Sequence, residues 1–469
     1  MESNNKYLAE EKLGKLLLKF SIPCIMSLMV SSLYNIVDQI FIGRGVGYLG
    51  NGATNVVFPI TIITLALALM LGDGCAAFLS ICQGRGDTES AHKSVGNTVV
   101  LTVVIGLLLT AFFALNKEGI LLAFGGTEAN IGYAREYFDY ILLGIPFYML
   151  TNALNSIIRA DGNPKFAMLS TLAGCLLNVV LDPIAIFGLG WGMRGAALAT
   201  IAGQFVTAVL AVYYLFHTKT FKLQKSSFVP SGHILGKSLP LGISSFLTQL
   251  SIVIIMAVMN NVLVQYGAQS KYGADIPLTV FGIVMKVFQI VIAVVVGVAA
   301  GAQPIVGYNY GCGKYQRVKQ LYASIAKVEC VVGLISMVCF EAFPLQITGI
   351  FGAEDGLYNE FAVYAFRIYL CTILLCCLQK STSIFLQALG KPVMAMSLSL
   401  LRDFVLSVPL ILLLPRGFGV IGALYSAPIA DIISLFVVAA MMFSVYKELD
   451  RKIKRPAPEA TGRVAAVNV

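Results

Sequence analysis

With 469 residues, 12% of them charged and 58% apolar, and a mean hydropathy of +0.82, the chain lies far from a soluble globular protein, in which about a quarter of residues are charged. Its apolar runs reach about 20 residues or more, enough for a helix to cross a hydrocarbon layer of about 30 Å, and lack the alternating segments of about ten residues that mark a β-barrel. The formal charge of +9 does not imply a nucleic-acid partner, because Lys and Arg are concentrated in particular loops, which is first of all a topology signal. The partner that composition demands is the lipid bilayer.

Residues 1–20 lack the apolar core and cleavage site of a secretory signal. Leu13, Leu16, Leu17 and Phe20 recur at helical spacing between charged residues, which predicts an interfacial helix leading into the membrane. Twelve spans follow, at approximately 20–43, 53–82, 95–116, 135–158, 166–188, 195–216, 238–265, 276–308, 320–343, 361–387, 393–414 and 419–446. Span 1 carries a carboxylate, Asp38, and span 5 carries Asn178 and Asp182 four residues apart. A carboxylate deep in a membrane helix costs about 2.5–3.5 kcal/mol on insertion scales, so it is retained where it faces a protein interior, a partner or water. Gly72-Asp73-Gly74 in span 2 is followed by no GK[ST] and is not a phosphate loop. The ten cysteines form no CxxC pair, and all three histidines fall in loops, so the sequence calls for no cofactor and offers no intramembrane histidine relay. No nucleophile with a base and no nucleotide motif is present, which argues against a membrane-embedded enzyme.

The termini and the loops on their side hold most of the basic residues, among them Lys219, Lys222, Lys225, Lys314, Arg317, Arg451 and Lys454, so both termini are expected to be cytoplasmic and the chain to sit in the cell membrane. The sequence also repeats itself. Gly162-Asn163-Pro164 recurs as Gly390-Lys391-Pro392, and Gly84-Arg85-Gly86 as Gly311-Cys312-Gly313, offsets of 228 and 227. Six spans per copy give two lobes of the same orientation, related by an axis along the membrane normal. The domain reading is an N-terminal lobe 1–216, a linker 217–235 acting as hinge, a C-terminal lobe 236–446 and a disordered tail 447–469.

Tyr34-Asn35-Ile36-Val37-Asp38-Gln39 in span 1, Asn178 to Asp182 in span 5 and Gly301-Ala302-Gln303-Pro304-Ile305-Val306-Gly307-Tyr308-Asn309-Tyr310-Gly311 closing span 8 resemble the multidrug and toxic compound extrusion (MATE) transporters over essentially all twelve spans. The resemblance implies an all-α polytopic fold of two six-helix lobes around a central cavity that opens alternately to each side. It also implies export of small amphipathic, often cationic compounds, driven by inward Na⁺ or H⁺. The family residues of an N-lobe cation site match Asp38, Asn178, Asp182 and Thr200, and a monomer is expected.

Depth supports the same grouping. Asp38 lies six residues before Arg44, Asp182 six before Gly188 and Thr200 six after Arg194, which places all three about 9 Å below the outer boundary. Tyr34 and Asn178 sit one turn deeper on the faces of Asp38 and Asp182. Carboxylates, amide and hydroxyl make an all-oxygen set that suits Na⁺, and a close carboxylate pair can hold a proton instead. Packing within the helix bundle is the bland alternative. In the second half, Arg402 and Asp431 fall near mid-membrane as either a structural ion pair or a coupling element, with Lys380 and Asp403 nearby. Met256, Met259, Asn260, Met285, Lys286 and Gln289 are candidates to line a substrate cavity, with core or lipid-facing packing as the simpler account of the methionines. A lipid-linked saccharide flippase with a similar two-lobe plan is the alternative function, and it would want a strongly cationic cavity.

Overall fold

The computed structural model describes residues 6–128, 130–351 and 356–454. Eleven helices in it are each long and apolar enough to cross a membrane, and a twelfth span is made by a pair bent by 45°, Leu357–Tyr369 and Ile373–Ala388. In chain order the spans are Leu13–Gly45, Tyr48–Arg85, Thr88–Leu115, Ile131–Ala160, Pro164–Gly188 and Gly192–Leu215 in the first lobe. Gly232–Ala268, Asp275–Gly311, Tyr315–Ala342, the bent pair, Pro392–Leu413 and Ser426–Lys454 make the second lobe. The helices overrun the expected bounds because apolar composition marks only the portion in lipid, while the hydrogen-bond ladder continues into both interfaces.

Three local features depart from expectation. Residues 13–20 do not form an interfacial helix. They are the first turns of span 1, and Leu16, Leu17 and Phe20 are buried against Tyr308, Val318 and Leu386 of the second lobe. The long helix of span 12 runs from Ser426; the expected start at 419 is instead a sharp kink within Pro415–Leu424, where Gly419 has φ 62° and ψ −154°, a conformation closed to L side chains. Span 12 also stays helical to Lys454, past the expected start of the tail; the rest of the tail lies outside the described residues.

The internal repeat is visible in the backbone. Gly84 and Gly311, equivalent by the 227-residue offset, touch each other: a Cβ built on either lies 2.9 Å from the Cα of the other. A residue meets its own counterpart only on the symmetry axis, so the axis passes between the basic ends of spans 2 and 8. Short helices at equivalent places, Lys117–Ala123 and Pro344–Phe351, precede spans 4 and 10. The segment between the lobes is tied down. Asp161 accepts from the Lys219 and Thr220 backbone N–H groups at 2.8 and 3.0 Å, from the Tyr214 hydroxyl at 2.7 Å and from the Thr220 hydroxyl, and Asn97 bonds Ser227, Val229 and Ser231. The linker is therefore an edge of the first lobe.

Candidate functional site

Spans 5 and 6 cross at two glycines. A Cβ on Gly174 would lie 2.5 Å from the Gly203 carbonyl oxygen, and one on Gly203 2.6 Å from that of Gly174. This contact brings the backbones together one turn below the polar residues and sets Thr200 beside Asn178. The α-helix of span 5 ends at Pro183 and continues as one π turn, Ile184–Gly188, which meets Gly45 at the end of span 1 and Gly195 at the start of span 6. Such turns cluster at functional sites because they re-aim side chains without breaking the helix.

Asp38, Asn178 and Asp182 are buried at 8%, 2% and 0% exposure. The Asn178 amide donates to Asp182 Oδ1 at 3.3 Å and to Thr200 Oγ1 at 3.4 Å. Turned over, it donates to Asp182 Oδ2 at 3.2 Å and accepts from the Thr200 backbone N–H at 3.2 Å, the better fit. The Asp38 and Asp182 carboxyl groups stand within hydrogen-bonding reach of each other, and Asp38 Oδ1 is a buried acceptor with no protein donor. Two bare carboxylates that close repel each other, so the geometry suits a proton or a small cation between them. Tyr34 flanks Asp38 from one turn deeper. A residue that sequence reasoning missed completes the set: Tyr137 of span 4 has its hydroxyl within reach of Thr200 and faces both carboxylates.

In the second lobe Arg402 pairs with Asp431 at 3.0 Å. The pair belongs to a larger network: Arg402 also meets Asp403 at 2.9 Å, Lys380 meets Asp403 at 2.8 Å, Ser251 donates to Asp403 at 2.9 Å and Thr372 to Asp431 at 2.8 Å. Two cations face two carboxylates, and Arg402 and Asp403 sit on a π segment, Leu401–Ser407. Of the cavity candidates, Lys286 and Gln289 are exposed on one face of span 8, and Met256 and Asn260 are half-buried. Met259 and Met285 are buried at 0% and 5% in the core of the second lobe, so the structure does not place them on an open wall. A further missed residue is Glu329, an acid midway along span 9 that is fully buried. Its presence in an apolar run was the signal that could have found it.

Twelve spanning helices in two like lobes, with oxygen-rich polar clusters inside the bundle, are the architecture of a multi-pass membrane transporter. The MatE family profile matches residues 23–184 and 240–413, one stretch in each lobe. The chain belongs to that family. Its curated relatives include the multidrug export protein MepA of Staphylococcus aureus (strain MRSA252), 24% identical over 446 residues that cover 95% of this chain and 96% of that one. MepA of Staphylococcus saprophyticus is 25% identical over 450 residues, with the same coverage. Among solved structures, a MATE in complex with MaL6 has a TM-score of 0.88 at 25% identity, covering 95% of this chain and 99% of that one. An outward-facing multidrug resistance MATE family transporter of the MOP superfamily scores 0.87 at 25% identity, covering 96% and 100%.

Proposed function

We propose that the protein is a cation-coupled antiporter of the cell membrane that exports small amphipathic, mostly cationic compounds by alternating access, with both termini cytoplasmic and the monomer as the working unit. The observation that carries this reading is the buried Asp38–Asp182 pair with its unpartnered Asp38 oxygen, joined by Asn178, Thr200 and Tyr137. An incoming Na⁺ or H⁺ offsets one of the two negative charges, relieves the repulsion within the pair and lets spans 1, 5 and 6 draw together. Span 1 links this event to the other lobe, because its far end is packed beneath spans 8 and 10 and Ser21 donates to the Val298 carbonyl at 3.3 Å. The coupling requires the cation to bind the two lobe arrangements with different affinity. The lobe boundaries 1–216 and 236–446 are the moving units in this scheme, with 217–235 travelling with the first. The names of the staphylococcal relatives support the substrate class.

The test is export of a fluorescent organic cation from proteoliposomes under an imposed Na⁺ or H⁺ gradient. The parent is expected to respond to a gradient, and Asp38→Asn and Asp182→Asn to fall to background. Unchanged gradient-driven export in both variants removes the coupling site, and parent export indifferent to both gradients removes the antiporter reading.

A further inference from the structure

The Gly72-Asp73-Gly74 triplet of span 2 sits where the two lobes cross. A Cβ on Gly72 would lie 2.6 Å from the Ala153 Cα of span 4, and one on Gly74 2.5 Å from the Ser238 carbonyl oxygen of span 7. The two glycines let span 2 press on a helix of its own lobe and on one of the other, and Asp73 between them meets both. Its Oδ1 accepts from the Ser156 hydroxyl of span 4 at 2.6 Å, and its Oδ2 from the Ser245 hydroxyl of span 7 at 2.9 Å. Each serine takes a donor from its own lobe: Arg159 Nη2 donates to Ser156 at 2.9 Å, and Gln387 of span 10 donates to Ser245 at 3.4 Å. The line Arg159–Ser156–Asp73–Ser245–Gln387 therefore runs across the lobe boundary and converges on the carboxylate.

The two sides hold Asp73 differently. Ser245 is a neutral hydroxyl carried by the second lobe. Arg159 is a cation carried by the first, and its Nη2 stands 3.7 Å from Asp73 Oδ1, too long for a hydrogen-bonded ion pair. Both side chains are 18% exposed, so neither is locked in a filled core. Separation of the lobes takes Ser245 away and leaves Asp73, Ser156 and Arg159 together, with the gap to the guanidinium free to close. The arrangement is one-sided. By the 227-residue offset Gly74 matches Gly301, which packs on Ser21 of span 1 as Gly74 packs on span 7, and Asp73 matches Ala300. Leu13-Gly14-Lys15 recurs as Leu235-Gly236-Lys237, an offset of 222 by which Ser245 matches Pro23. Ala300 and Pro23 have no polar side chain, so the crossing of span 8 on span 1 has no counterpart of the Asp73–Ser245 bond. Asp73 is eleven residues from Gly84, about 16 Å along span 2 from the axial contact at the basic end, so its bond to the second lobe adds to the closure of that end.

We propose that Asp73 is a positioning residue for the lobe movement: it latches the lobes through Ser245 while the basic end is closed, and exchanges Ser245 for a direct pair with Arg159 when that end opens. The exchange presupposes the lobe movement of the proposed function, but neither its coupling ion nor its substrate. Hydrogen exchange of the full-length protein in lipid nanodiscs, with no gradient and no substrate, follows the opening through the backbone amides of residues 76–85 of span 2. Ser245→Ala removes a bond made only in the closed arrangement and is expected to speed exchange there by about fivefold or more, the worth of one hydrogen bond. Arg159→Met removes the partner on which the open arrangement depends more, and is expected to slow exchange by a similar factor. Groups that merely supported the fold would speed exchange in both variants. In an Asp73→Ala background, which lacks the acceptor, Ser245→Ala is expected to add nothing. Opposite shifts in the two single variants support the latch. Exchange that Ser245→Ala leaves unchanged, or that Arg159→Met speeds, overturns it. Should Arg159→Met fail to fold, the effect of Ser245→Ala with and without Asp73 decides it: an effect that persists in Asp73→Ala overturns the latch. Gradient-driven export is a separate readout, so failure of the latch and failure of the coupling site are told apart.

Discussion

The proposed cation site is lined by single hydroxyl and amide groups that can be removed one at a time without opening a cavity. Tyr137 places its hydroxyl beside Thr200, and Thr200 in turn bonds the Asn178 amide, which also bonds Asp182. Tyr137→Phe removes one hydroxyl at constant volume, so the loss is that of one hydrogen bond, about 1 kcal/mol or about a fivefold weaker apparent affinity for the driving cation. The cation dependence of export measures it, and an unshifted half-saturation would show that Tyr137 has no part in the site. Asp38, Asn178, Asp182 and Thr200 were legible as a group from the sequence because the family resemblance joined them and helix rise put them at compatible depths. Tyr137 was not legible: span 4 carries Tyr133, Tyr137, Tyr140 and Tyr148, and depth alone does not say which one faces span 6. Glu329 was visible as an acid in an apolar run, but its lack of any partner is a fact of tertiary packing. Met259 and Met285 failed as wall residues for the same reason, since helical spacing places a side chain on a face without saying what covers that face.

At the scale of elements, the sequence marks spans by hydropathy and cannot register their interruptions. The bend in span 10, the π turns and the kink at Gly419 all preserve an apolar run while altering its path. The linker shows the converse, a polar stretch that reads as a free hinge yet is fastened by a buried acid outside the spans. Asp161 gathers two backbone N–H groups and two hydroxyls, and Thr220 also accepts from Gln83 at 2.7 Å. Asp161→Ala strands these donors together, which is expected to cost at least about 2 kcal/mol and to loosen residues 217–223 before the bundle itself opens. Limited trypsin digestion reports the loosening as faster cleavage at Lys219 and Lys222, together with a lower thermal midpoint. Unchanged cleavage would mean that Asn97 and its partners alone hold the segment.

For the whole molecule, the two-fold axis fixes how the lobes meet. On the axis Gly84 and Gly311 press backbone against backbone at the basic end. A Cβ on Gly84 would lie 2.2 Å from the Tyr308 carbonyl oxygen, and one on Gly311 2.4 Å from that of Ile81. Backbone atoms cannot step aside as a flexible side chain would, so Gly84→Ala or Gly311→Ala must wedge this end apart, at an overpacking cost of about 1–3 kcal/mol to the closed arrangement. Ile81, 5% exposed and seated against Gly390 of the second lobe, supplies the reporter of the opening as Ile81→Cys. Its modification by a water-soluble maleimide, read by peptide mapping, is expected to accelerate about tenfold or more in either variant, as a shift of that size in a two-state balance requires. The two substitutions act on one shared contact, so the double variant is expected to add little to either single one, whereas independent sites would add in full. If Ile81→Cys stays protected in both, the lobes do not part at this end, and the proposed alternating movement would have to pivot elsewhere than on the axis through Gly84 and Gly311.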